Sequence, residues 1–135
     1  MDNEYLKFQI TKIRQALAIL KENSQKLMDA TNVKSPINPN EYGRLDRIIK
    51  EYVVIKVAAL TDKDRRTFSL IHLKNSKIDS VLQKYAVMLA MIKKNRDKAF
   101  GHHERNFLEN EEILQTGDLF DLPLAEFLDE VDKEL

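Results

Sequence analysis

Apolar residues recur along this chain at helical spacing. From Asp2 to Ala30, Tyr5, Phe8, Ile13, Leu17, Leu20 and Leu27 stand near three, four or seven positions apart, the stripe of an amphipathic helix that leaves Lys12, Lys21 and Lys26 to face water. VKSPINPNEYG then combines Pro36 and Pro39 with Asn and Ser, which ends one helix and connects it to the next. Leu45, Ile48, Ile49, Tyr52, Ile55 and Ala59 supply the apolar face of a second helix. The β-branched run VVIKV also fits a strand, and the sustained period on both sides of it selects the helix. In TDKDRRTFSLIHLKN, a polar turn precedes Phe68, Leu70, Ile71 and Leu73, which form a short docking helix. Ser76 followed by Asp79 reads as a capping box, and Ile78, Leu82, Tyr85, Leu89 and Ile92 make the buried stripe of a third helix running to Ala99. His102 to Leu114 forms a further helix, with Phe107, Ile113 and Leu114 as its apolar contacts. TGD turns the chain, Asp121 before Pro123 starts a last helix, and Leu124, Phe127, Leu128 and Val131 form its apolar face.

Striped helices must pack on one another, so the pattern predicts an all-α fold, an antiparallel helical bundle with one or two short accessory helices. At 135 residues the chain suits one domain, residues 1–135, ending in an acidic helical segment at about 118–135. No repeat or low-complexity linker interrupts it. No apolar run reaches the length of a spanning helix, since VVIKVAAL is short and contains Lys56, and the N-terminus lacks a secretory pattern. With no cysteine there is no disulfide framework, thiolate zinc site or cysteine nucleophile. The expectation is a soluble cytoplasmic protein without membrane contact.

Net charge is 0, but its distribution is uneven. Residues 1–105 carry 21 basic and 12 acidic side chains, and residues 106–135 carry 1 and 10. The whole-chain balance predicts neither a nucleic-acid binder nor an acidic mimic, but it conceals a basic body that carries an acidic tail. The simplest role for the tail is solubility; shielding the body from RNA and binding a basic partner are the other readings.

The densest polar constellation is KKNRDKAFGHHERN, Lys93 to Asn106. Arg96 offers a planar fork of donors to a phosphate, and a histidine near neutral pKa can transfer a proton. Together these are the parts needed to cleave an RNA backbone. The 2′-hydroxyl attacks the adjacent phosphate, His102 assists proton transfer, and Arg96 stabilises the charge of the phosphorane-like state. Asp97 orients Arg96 or His102, while Lys93, Lys94 and Lys98 attract the backbone and His103 and Glu104 lie beside the substrate. On an ideal helix, at about 100° per residue, Arg96 shares a face with His103 rather than His102; Gly101 alters that geometry, so spacing does not choose between the two histidines. The plainer reading of the same cluster is a solvated helix end.

This segment resembles the motif of the HEPN superfamily, particularly its abortive-infection and toxin-like branch, which runs approximately Arg-(Asn/Asp)-Lys-x-x-Ala-His-x-Asp. Here the positions are Arg96, Asp97, Lys98, Ala99, Phe100, Gly101, His102, His103 and Glu104. Gly101 stands in place of the common Ala, and Glu104 keeps the charge of the common Asp with one more methylene. The resemblance implies an all-helical, commonly dimeric protein whose Arg and His form a metal-independent endoribonuclease site, often composite between two protomers. It implies RNA as substrate, a homodimer, and an antitoxin or nucleotidyltransferase as partner. The alternative is a noncatalytic HEPN-like module that binds a nucleotide, RNA or protein.

Other positions add little chemistry. His72 sits among apolar residues as a structural histidine, and nothing matches HExxH or a carboxylate-rich loop, so no metal is expected. Without a Gly-rich phosphate loop, no cofactor is expected either. Lys63, Arg65 and Arg66 alternate with Asp62 and Asp64 as a solvated turn. Tyr5, Phe8, Tyr52, Phe68, Tyr85 and Phe107 are assigned to helix packing rather than base stacking.

Overall fold

The structure is a computed structural model describing residues 2–32, 39–64, 66–97 and 116–135. Its described residues are helical or irregular, with no strand among them. The elements are α1 (Asp2–Asn32), α2 (Pro39–Leu60), a 3₁₀ turn (Leu70–Leu73), α3 (Ser76–Lys84), α4 (Ala86–Asn95), α5 (Thr116–Asp121) and α6 (Leu124–Glu134). None of these helices is long and apolar enough to cross a membrane. The all-α expectation therefore holds, while the helix expected at His102 to Leu114 lies outside the described residues.

Asp2 and Glu4 favour the first turn of α1 by facing the positive end of its dipole. α1 and α2 form an antiparallel hairpin, the most extensive helix contact in the molecule. Pro39 opens α2 instead of belonging to the connection. A proline fits a first helical turn, where its missing N–H has no partner to lose. Leu6, Ile10, Ile13, Ala16 and Leu20 of α1 face the core, where Val53, Val54, Val57, Ala58 and Leu60 of α2 meet them.

That inner face corrects the sequence expectation for α2. Leu45, Ile48, Ile55 and Ala59 point to solvent, and Ile49 and Tyr52 are half-buried. The chain carries two apolar stripes on one helix. The small Val and Ala side chains of the other stripe let α2 lie close to α1 and α4, two of its packing neighbours beside α5. On α1, Tyr5 and Phe8 are also exposed, and Tyr5 meets the exposed Phe68 with ring centroids 5.4 Å apart. These three aromatics are not core packing, whereas Tyr85 is buried against Phe127. Lys12 is half-buried because its ammonium lies over the Phe8 ring.

The single third helix expected from Ser76 to Ala99 is broken in two at Tyr85 (φ −104°, ψ 18°). No Gly or Pro marks the break. It coincides with the Tyr85 hydroxyl donating to Glu130 of α6, and Lys84 reaches the same carboxylate at 2.7 Å. The cap is also one residue earlier than expected. Asn75 accepts from the N–H of Lys77 (3.0 Å) and Ile78 (3.3 Å), satisfying two of the orphan donors at the start of α3.

TGD is the first turn of α5 rather than a turn between elements, and Pro123 holds the N-cap position of α6. Leu124, Phe127, Leu128 and Val131 are buried as expected. The described part of the acidic tail thus contributes to the core. Its carboxylates also meet cations of the body: Asp129 and Asp132 hold Arg14, Glu130 holds Lys84, and Glu134 lies 4.0 Å from Lys77.

Candidate functional site

α4 ends beside the sequence cluster. Ile92 and Asn95 turn inward, Lys93 and Lys94 outward, and after Asn95 the backbone widens into a π-type turn carrying Arg96 and Asp97. Such widened turns recur at functional sites because they re-aim side chains that a regular helix would fix. The Arg96 side chain is three-quarters buried, and its guanidinium meets one oxygen of Asp97, Oδ1, through an Nε hydrogen bond at 2.8 Å and an Nη2 ion-pair contact at 2.6 Å. The structure thereby joins two of the expected site residues. The Nε–H donates to Asp97, and among the described residues the N–H groups of Nη1 and Nη2 have no recorded hydrogen bond and can meet an anion.

A second polar cluster is buried between α1 and α2. Asp46 accepts from the Asn23 amide and, at 2.9 Å, from the Ser24 hydroxyl, with Lys50 one turn further along α2. Asp46 and Lys50 are 6% and 8% exposed, and Asn95 on α4 is 2% exposed.

Sequence reasoning missed this cluster. Its one signal was phase: Asp46 and Lys50 continue the face of Val53 and Val57 at helical spacing, so two charged residues occupy an inward stripe. Burying them without partners would be costly, and Asp46 is fully engaged by two donors.

Lys98, His102, His103 and Glu104 lie outside the described residues, as does Arg65. His72 is half-buried and donates through Nε2 to the Asp64 carbonyl at 2.9 Å. Arg66 is tied to Asp64 at 2.7 Å, a contact that holds the Asp64 carboxyl below its usual range and raises Arg66. Among the described residues no three His, Asp or Glu side chains gather as a metal site. Comparison with protein-family models, with curated proteins and with solved structures returns no match.

Proposed function

We propose that the chain is a metal-independent endoribonuclease of toxin or antiphage type, cleaving RNA by attack of a 2′-hydroxyl on the adjacent phosphate. The observation that carries this reading is the Arg96 side chain, three-quarters buried in a widened turn and held by Asp97, with guanidinium N–H groups that have no recorded hydrogen bond among the described residues. A guanidinium fixed in this way loses little entropy on meeting a phosphate and stabilises the charge that grows on its oxygens. Lys93 and Lys94 stand on the preceding turn of α4, where cations draw in a polyanion. The HEPN-like motif supplies His102 for proton transfer and RNA as the substrate.

The second reading is a noncatalytic HEPN-like module that binds RNA, a nucleotide or a protein. The Arg96–Asp97 contact favours it in one respect, since a carboxylate that neutralises the guanidinium also suits a purely binding or structural arginine.

Cleavage of a structured-RNA pool in a chelator separates the two. Wild-type protein is expected to leave 2′,3′-cyclic phosphate ends, with Arg96→Ala and His102→Ala each lowering the rate by about a hundredfold or more at unchanged helicity. His103→Ala, run alongside, shows which histidine works. RNA binding without cleavage, equal in wild type and His102→Ala, would select the binding module instead.

A further inference from the structure

The inner stripe of α2 is consumed by the core, while Leu45, Ile48 and Ile55 stay in solvent with Tyr52 half-buried between them. α1 carries a matching flank. Tyr5, Phe8, Lys12 and Ile19 follow one another at spacings of three, four and seven, and Tyr5, Phe8 and Ile19 are 46%, 57% and 53% exposed. At about 100° per residue, Lys12 and Arg14 lie about 160° apart around the helix. Arg14 faces α6, so this flank is the one turned away from α6. Seen from α1, the core lies between α2 and α6, and the flank therefore opens on the outer side of the α1–α2 hairpin, beside the outer stripe of α2. Phe68, 61% exposed just beyond α2, extends the patch by meeting Tyr5. Two cations belong to this face: the Lys12 ammonium lies 5.1 Å from the centre of the Phe8 ring, and that of Lys56 5.7 Å from the Tyr52 ring. Neither has an ion-pair partner among the described residues. Glu4 and Glu51 precede Tyr5 and Tyr52 in sequence and so stand about 100° off them, at the borders of the patch.

We propose that this outer face of the α1–α2 hairpin adsorbs to the surface of a bilayer that contains anionic lipid. The two helices lie side by side in the plane of the interface. Phe8, Ile48, Ile55 and Phe68 enter the boundary of the acyl chains, and Lys12 and Lys56 run along their rings to reach the headgroup phosphates. The aliphatic residues select lipid over nucleic acid, because Leu45, Ile48 and Ile55 have no π-face to stack on a base. The two uncompensated lysines select an anionic headgroup over a neutral one. The expectation of no membrane contact rests on the lack of a spanning segment, and adsorption to a surface needs none. The proposal is independent of the RNA-cleaving reading, because α4, which carries Arg96 at its end, packs on the buried side of α2.

Co-sedimentation with vesicles tests the proposal, using phosphatidylcholine alone and phosphatidylcholine with one third phosphatidylglycerol. Wild type is expected to bind the mixed vesicles about tenfold or more tightly than the neutral ones, and to lose that margin in high salt. Ile48→Glu should lower affinity for the mixed vesicles about tenfold or more at unchanged helicity, since that side chain is not part of the core. Lys12→Gln and Lys56→Gln should each lower it about fivefold. Phe68→Trp gives a chain without tryptophan a single reporter, whose emission should shift to the blue on the mixed vesicles. No binding to the mixed vesicles, binding that survives Ile48→Glu, or an unshifted emission from bound Phe68→Trp would each overturn it. So would an Ile48→Glu variant that loses RNA binding or self-association while keeping vesicle binding, which would assign the face to a nucleic acid or to a second copy.

Discussion

Glu130 receives two donors from neighbouring positions, and its titration shows how one side chain fastens an element. The Lys84 ammonium and then the Tyr85 hydroxyl hold its carboxyl below the ordinary 4.5, while accepting from Tyr85 raises that phenol above 10.0 and pairing raises Lys84 above 10.5. A lowered acid contributes stability that is full above its unfolded pKa and disappears as pH falls through the folded value. A raised phenol or amine contributes stability that is full below its unfolded pKa and disappears as pH climbs through the folded value. The contact therefore supports α6 docking between about pH 4.5 and 10 and fades on both sides. Urea melts of wild type and Glu130→Gln across this range should show a gap that narrows at either extreme; a gap independent of pH would mean that charge plays no part. Arg96 makes the same kind of contact with Asp97, but within two adjacent residues, so it orients a side chain rather than joining two helices.

Among the helices, α2 carries the strongest conflict between local and global demands. Gly43 lies within it, and a Cβ added there would meet nothing within 4 Å. Gly43→Ala is accordingly expected to stabilise the domain by about 0.5–1 kcal/mol, read as a higher denaturation midpoint at constant m-value. The inward stripe of Ile78, Tyr85, Leu89 and Ile92 and the buried face of α6 were legible because each has one apolar stripe, and α1 was legible as a helix from its sustained period although Tyr5 and Phe8 face outward. α2 has two, and the larger Leu45, Ile48 and Ile55 misled where the smaller Val53, Val54 and Val57 permit closer packing. The break at Tyr85 had no local signal, since its anchor, Glu130, is 45 positions away. For the site, adjacency made Arg96 and Asp97 readable together. Asn23 and Asp46 come from two helices, and only packing brings them together.

The whole molecule distributes its charge so that the acidic tail lies along the body with which it is balanced. Arg14, Lys77 and Lys84 face α6 carboxylates, which leaves the exposed Lys93 on α4 outside those pairs. The contacts of α6 also span the greatest distances along the chain. Asn23 meets Asp46 across 23 positions, whereas Arg14 meets Asp129 across 115. Closing the longer loop costs more chain entropy before any contact repays it. The order of assembly follows: the α1–α2 hairpin forms in the folding nucleus, and α6 locks down after the barrier. Val54→Ala should then chiefly slow refolding, while Phe127→Ala, costing about 3–5 kcal/mol at equilibrium, should chiefly accelerate unfolding. Stopped-flow chevrons of the two variants would show opposite limbs displaced, and the reverse assignment would place α6 in the nucleus. The lifetime of the folded state is then governed by how tightly α6 is held rather than by how quickly the hairpin forms.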